Sequence, residues 1–484
     1  MAEPYDFDVA VLGGGSAGYA AARTAAVAGL KTVVIEGGEE VGGLCILRGC
    51  MPTKALLYAA EVMHLASHPE PWGIGPGKVG FDFKQVMARK NALIKDFADY
   101  RVQQLNTGKF EFIRADATFV DGHTVVLKSL CSSGRKSAQS SKSKIEQSRL
   151  TSAATLRSTN FVIATGSKVA PPPLPSLQET GYITSDDALV LKRLPKSLIV
   201  LGGGPTACEF AQFFARFGVK VTLIQRSAHI LKEFDADAAA EVEKVFRREG
   251  IKVFTGTKLV DARRRGKLKA VSFEHEGKTV SVSAEEILFA LGRVPYTASL
   301  NLAKAGVKTE GSRILANEFM QTTAPHIYTG GDCTGPHEIV HIAVQQGEIA
   351  ARNIAHPNSA RIDYRLMISV VFTEPQVAFV GLTEKEAKAR GDSFLAASYP
   401  FNDHGKSLIM EARDGFVKLL ADPKSGEILG GACVGPVGGE LIHEIVAAMA
   451  KRMTVHELAA MPHYHPTLAE IWTYPAEELA ERVR

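Results

Sequence analysis

Short apolar runs separated by glycine set the rhythm of this chain. Residues 8–36, DVAVLGGGSAGYAAARTAAVAGLKTVVIE, begin apolar, turn through glycines, pass along an alanine-rich stretch, stop at Gly29 and close on a second apolar run ending in Glu36. That order predicts strand, tight turn, helix and strand, a complete βαβ start. The pattern returns in residues 197–225, SLIVLGGGPTACEFAQFFARFGVKVTLIQ. There Gly202, Gly204, Gly218 and Gln225 fall in register with Gly13, Gly15, Gly29 and Glu36 at one common offset. Two independent accidents of that length are not expected, so the chain carries two dinucleotide-binding units. Their alternation of strand and helix is that of doubly wound α/β domains. From IDYRLMISVVFTEPQVAFVGLT onward, short strands precede helical segments, which predicts an α+β domain at the C-terminal end.

Length and composition agree with several domains. A chain of 484 residues is too long for one core. A hydrophobic fraction of 45% and a mean hydropathy of +0.01 are those of a folded globular protein, and no apolar run is long enough to span a membrane. A formal charge of +4 with no basic arm speaks against nucleic acid as a partner. The N-terminus MAEPYDFDVAVLGGGSAG lacks the charged start, apolar stretch and cleavage site of a secretory signal, so a cytoplasmic location is expected.

The glycines have separate tasks. Gly13 allows the tight turn, Gly15 lets backbone approach a pyrophosphate, and Gly18 lets helix and strand pack closely. Glu36 ends its strand where a carboxylate would accept ribose hydroxyls. In the second unit Gln225, Arg226 and Lys232 stand where a carboxylate would repel a 2′-phosphate, which favours NADP(H) over NAD(H). Solvated surface charges are the other reading of Arg226 and Lys232.

Cys45 and Cys50, in GGLCILRGCMPTK, are separated by four residues in a chain with six cysteines. In a reducing compartment such a pair reads as catalytic or metal-binding before it reads as structural. Zinc would need a second pair of ligands at familiar spacing, and none is present; two buried free thiols remain an alternative. Two dinucleotides in one chain point to a relay in which a hydride is delivered and passed on, and a thiol pair is a natural next station.

These motifs, with FVIATGS, ILFALGRVPYT, IYTGGDCTG, VVFTEPQVAFVGLT and HYHPTLAE in that family's order, resemble the pyridine nucleotide-disulfide oxidoreductases. That group contains dihydrolipoamide dehydrogenase, glutathione reductase and mercuric reductase. The resemblance covers almost the whole chain. It implies FAD on the first glycine loop, NAD(P) on the second, and a C-terminal dimerisation domain. The expected division is FAD-binding for 1–166 and 291–362, NAD(P)-binding for 167–290 and interface for 363–484.

The resemblance also implies roles for single residues. Both thiols would lie at the start of a helix against the flavin, where the helix N-terminus lowers thiol pKa. Cys50 would form the charge-transfer thiolate and Cys45 would exchange with a disulfide substrate. Lys54 would stand near the flavin's reactive nitrogen with Glu209 as its partner, and Asp332 would hold the ribityl chain. Thr165 and Gly166 in FVIATGS and Gly292 in ILFALGR would contact cofactor. His465 and Glu470 would form the acid-base pair, serving the cysteines of the other subunit of a homodimer, with His463 the weaker candidate.

The implied function is FAD-dependent transfer of electrons between NAD(P)H and a small-molecule or protein-bound disulfide or dithiol, with no metal. The alternatives are a quinone or dye reductase using flavin alone, or an idle, redox-sensing flavoprotein. Four departures from the family pattern stand out. Arg48 adds a cation inside the cysteine loop. Pro205 replaces a tyrosine that several relatives place over the nicotinamide. Residues 129–160, rich in Ser, Lys and Arg, read as a mobile excursion between strands, with Cys131 incidental. The C-terminus has no cysteine pair and HYHP is intact, which disfavours a metal-ion reductase.

Overall fold

The computed structural model describes residues 5–75, 77, 79–129, 154–335 and 337–483. Residues 130–153, with Cys131, lie outside the described residues. The expected excursion ends sooner than the sequence indicates, because Ala154–Ile163 is a strand. Its Leu156, Phe161 and Ile163 carry the apolar positions that bury it.

The chain divides into two compact units. The first comprises residues 1–52, 91–170 and 293–363. Strand β1 (Phe7–Leu12) leads through helix α1 (Ser16–Val27) to β2 (Thr32–Glu36). Further along the chain are α2 (Gly43–Leu47), α3 (Cys50–Ser67), α4 (Phe83–Leu105), β3 (Glu111–Phe119), β4 (Thr124–Ser129) and β5 (Ala154–Ile163), with α3 from Thr53 and α4 up to Lys90 counted in the second unit. β1 pairs in parallel with β2 on one side and β5 on the other, β3 extends β2, and Ile327–Thr329 extends β5. A parallel sheet is covered on both faces, which is why β1 is apolar at successive positions. Val9 and Val11 pack with Ala21, Ala22 and Ala25 of α1. Ala10 and Leu12 point the other way, into a core with Phe119, Phe161 and Ile163.

The second unit comprises residues 53–90, 171–292 and 364–484. It repeats the parallel arrangement: Glu286–Phe289, Ser197–Leu201, Lys220–Ile224 and Lys252–Phe254 lie side by side in that order. The helix Pro205–Arg216 buries Phe210, Phe213 and Phe214 in a core that also takes Leu56 and Ala60 of α3. Pro205 opens that helix at its first position, where a missing N–H costs nothing. Past residue 364 a five-stranded antiparallel sheet packs with the helices Gly438–Ala450 and Thr473–Arg482, and Trp472 lies fully buried in their core. Two doubly wound domains followed by an α+β domain is the expected fold class. Among the described residues no helix is long and apolar enough to cross a membrane.

Candidate active site

The first glycine loop owes its shape to steric exclusion. Gly13 has φ +108°, and a Cβ there would lie 2.4 Å from Ala164 O; one on Gly18 would lie 1.8 Å from Gly13 O. Neither position admits a side chain. Gly15 differs, because a Cβ on it would meet only Gly43 Cα, at 3.8 Å, and one on Gly204 would meet nothing within 4 Å. The chain itself makes no demand for glycine at those two helix N-caps. A phosphate approaching the uncapped amides of α1 and of Pro205–Arg216 would. The Glu36 carboxylate is held from both sides, Oε2 accepting from Gly14 N and Oε1 from Gly38 N, each at 2.7 Å. These residues fit a dinucleotide.

In the second loop Gly202 repeats the geometry of Gly13, with φ +116°. Gln225 is buried and turns its Oε1 to Arg226 N at 3.0 Å. Arg226 is exposed, whereas the Lys232 ammonium lies 3.3 Å from Glu233 Oε1. Gly292 has φ +115° and open space around it.

Three polar groups of the first unit form a chain: Arg293 Nε donates to Ser167 Oγ at 2.8 Å, and Ser167 Oγ donates to Asp332 Oδ2 at 2.6 Å. Thr165 Oγ1 nearby in sequence is buried with no hydrogen-bond partner among the described residues, an orphan that a bound polar group would satisfy. Gly166 has φ +70°, and its carbonyl accepts from Tyr296 N. Cys333 is fully buried against Ile163 O, Gly330 O and Thr329 Oγ1, a packing role.

The two cysteines do not share one helix start. Cys45 lies within the five-residue α2, and only Cys50 opens the long α3. Pro52 supplies the reason: in a helix continuous from α2 its ring would collide with the carbonyl of Arg48, so the helix breaks at Arg48 and Gly49 and restarts with proline in its first turn. Both sulfurs are half-buried, with no bond between them. Contrary to the expected lowering, the Cys45 thiol is pushed well above its ordinary value, first by its hydrogen bond with Cys50 and then by burial, while the Arg101 cation acts in the opposite sense. The hydrogen bond thus favours the protonated form of Cys45. Arg48 directs its charge elsewhere, to Glu40 Oε2 at 3.1 Å.

Within the second unit, Lys54 Nζ donates to both oxygens of the buried Glu209, at 2.9 and 2.8 Å, and sits 4.6 Å from the centre of the Phe372 ring. Glu209 Oε1 also accepts from Phe372 N at 3.0 Å. A cavity of about 320 Å³ opens beside them, lined by Lys54, Tyr58, Gln212, Arg216, Phe372 and Glu374 among others.

His465 Nδ1 lies 2.9 Å from Glu470 Oε2. With Glu470 ionised, Nδ1 carries the proton and Nε2 is the free base. The His465 side chain is 78% exposed and that of Glu470 only 11%, so the carboxylate is fixed and the imidazole presented. The His463 side chain is only 6% exposed, with Nε2 at 2.6 Å from Glu444 Oε1 and Nδ1 at 3.0 Å from Met461 O, and has no nitrogen left to offer. Two residues escaped the sequence reading. Arg101 lies over the Tyr19 ring at 4.4 Å, and His404 is buried 3.4 Å from Glu470 Oε1. Neither belongs to a motif, and only folding shows what each approaches.

Two dinucleotide cradles and a thiol pair in one chain define an FAD- and pyridine nucleotide-dependent oxidoreductase acting on sulfur. Residues 7–347 match the pyridine nucleotide-disulphide oxidoreductase family and residues 367–476 match its dimerisation domain, and the chain belongs to that family. It is 35% identical to the dihydrolipoyl dehydrogenase of Bacillus subtilis over 96% of both chains. It is 32% identical to the mercuric reductase of Bacillus cereus, over 96% of this chain and 70% of that protein. Among solved structures, the Cu(II) complex of the HOCl-induced flavoprotein disulfide reductase RclA from Escherichia coli superposes with TM-score 0.83 at 25% identity, over 98% of this chain and all of that one. LpdA from Mycobacterium tuberculosis does so with TM-score 0.83 at 28% identity, over 97% and 99%.

Proposed function

We propose that this protein exchanges electrons between NADP(H) and a disulfide or dithiol through Cys45 and Cys50. The reading rests above all on the thiol pair Cys45 and Cys50, close enough to hydrogen-bond. FAD, when bound, supplies the two-electron link between nicotinamide and sulfur. The loop Gly13–Gly18, Glu36, Thr165, Gly166, Asp332 and Lys54 would hold it. Gly202, Gly204, Glu209, Gln225, Arg226, Lys232 and Gly292 would hold the nicotinamide cofactor. The domain division proposed is FAD-binding for 1–166 and 291–362, NAD(P)-binding for 167–290 and interface for 363–484, in a cytoplasmic homodimer.

A Cys45 thiol needs a base to remove its proton before attack. His465 takes that proton on Nε2, and Glu470 stabilises the imidazolium that forms. The Cys45 thiolate attacks one sulfur of the substrate disulfide, forming a mixed disulfide and expelling the other sulfur as a thiolate, to which His465 returns the proton. Cys50 as thiolate then attacks the Cys45 sulfur, the Cys45–Cys50 disulfide forms and the second substrate sulfur leaves. Substrate gains two electrons and the cysteine pair loses two. The reverse sequence oxidises a dithiol. By the family resemblance, His465 of each protomer serves the cysteines of the other.

Preference for NADPH is supported by Gln225 in the place of Glu36 and by exposed Arg226; Lys232, turned to Glu233, adds little. The test uses FAD-loaded protein with NADPH or NADH as donor, and lipoamide, glutathione disulfide and a quinone as acceptors. Wild type should reduce a disulfide with a higher kcat/KM for NADPH. Cys45→Ser should lose disulfide reduction by about 10³-fold or more while quinone reduction persists. Undiminished disulfide turnover in Cys45→Ser would refute the proposal, and equal use of NADH would refute the nucleotide preference.

A further inference from the structure

Glu470 lies between two imidazoles. One is His465, on Oε2. The other is His404, fully buried where the turn Phe401–Asp403 meets the helix Gly405–Ile409, with Nε2 3.4 Å from Oε1. Nδ1 of His404 lies 2.8 Å from Ser407 Oγ, and its ring stands edge-on to Phe401 and Tyr474, with centroids at 6.4 and 6.3 Å. Nothing else polar completes a hydrogen bond to Nε2 among the described residues. A buried ring nitrogen left without a partner is costly, and the one acceptor it faces is the carboxylate that orients the exposed histidine.

We infer that His404 is a positioning residue for the acid-base pair, its Nε2–H donating to Glu470 Oε1 and fixing the carboxylate so that Oε2 stays on His465 Nδ1. The inference rests on the proposed role of His465 and Glu470. The Ser407 hydroxyl can donate to Nδ1, which leaves the His404 proton on Nε2, the tautomer that Glu470 requires. At 3.4 Å the contact is long for a hydrogen bond, within reach of a small rotation of the carboxylate. Burial pushes the His404 pKa down, against the pull of Glu470, so it stays neutral near pH 7. A neutral donor orients the carboxylate without cancelling its charge, which remains available to the His465 imidazolium. A protonated His404 would instead compete for it. The groups around His404 are Glu470, Ser407, Phe401 and Tyr474, with His465 across the carboxylate.

Glutamine and asparagine separate this role from mere packing. The amide N–H of a glutamine in place of His404 can reach toward Glu470 as Nε2–H does, whereas the shorter asparagine can serve only the Ser407 side. In FAD-loaded full-length protein, His404→Gln should keep disulfide turnover within about twofold of wild type, while His404→Asn should lower it by about tenfold. His404→Asn should also move the apparent pKa of the disulfide half-reaction down by roughly one unit, as His465 loses its oriented carboxylate, and leave quinone reduction unchanged. If the two variants behave alike in rate and pKa, the inference is overturned. A separate variant, His465→Gln, tests the reading beneath it: should it retain disulfide turnover, the acid-base assignment itself fails, whatever His404 does.

Discussion

The hydrogen bond with Cys50 raises the Cys45 pKa, and the Arg101 cation acts in the opposite sense. The guanidinium lies over Tyr19, its Nε and Nη1 buried without hydrogen-bond partners among the described residues, and burial lowers its own pKa. A cation kept in such a place at the cost of desolvation must be offset by an anion or a π face nearby. Tyr19 supplies the face, and a Cys45 thiolate would supply the charge. Arg101→Leu should therefore raise the Cys45 pKa further, by about half a unit, and slow its alkylation at pH 8 roughly threefold, with Arg101→Lys near wild type. Mass-spectrometric mapping of iodoacetamide-labelled peptides distinguishes Cys45 from Cys50. Equal labelling rates in wild type and Arg101→Leu would remove Arg101 from the site.

At the scale of elements, glycines that the chain needs differ from glycines that only a ligand needs. On Gly18, any Cβ must displace the carbonyl of Gly13, so Gly18→Ala should lower both thermal stability, by about 2 kcal/mol or more, and flavin content. Gly15→Ala meets no such obstacle and should keep the stability of the flavin-free protein while weakening flavin retention at least tenfold. Absorbance ratios after gel filtration and the Tm of the stripped proteins check both. The glycine pattern was legible in the sequence because a turn and a close approach are local demands, and its repetition exposed both cradles. The division between α2 and α3 follows from Pro52, whereas the family resemblance implied one helix start for both cysteines. Lys54 and Glu209 could be paired only through family resemblance. Arg101 and His404 could not be found at all, since hydrophobic periodicity assigns a residue to a face and does not say which distant residue that face will meet.

For the whole molecule, two half-buried groups of the second unit make stability respond to pH in opposite directions. Burial lowers the His64 pKa to about 4, from 6.5 in the unfolded chain. Between those values the unfolded state binds more protons, so stability rises with pH from 4 to 6.5. Burial raises the Glu374 pKa to about 7, from 4.5. In that case the folded state binds more protons between 4.5 and 7, and stability falls with rising pH across the same interval. Each slope is at most about 1.4 kcal/mol per pH unit, and over pH 4.5–6.5 they oppose each other, so these two groups together leave wild-type stability nearly flat there. Replacing one group should uncover the other. Tm of Glu374→Gln should climb through that interval relative to wild type, and Tm of His64→Gln should decline through it. Scanning calorimetry of the three proteins at matched ionic strength reads both slopes; parallel Tm curves for all three would show that neither burial perturbs titration, and would leave the cavity beside Glu374 without its neutral carboxyl.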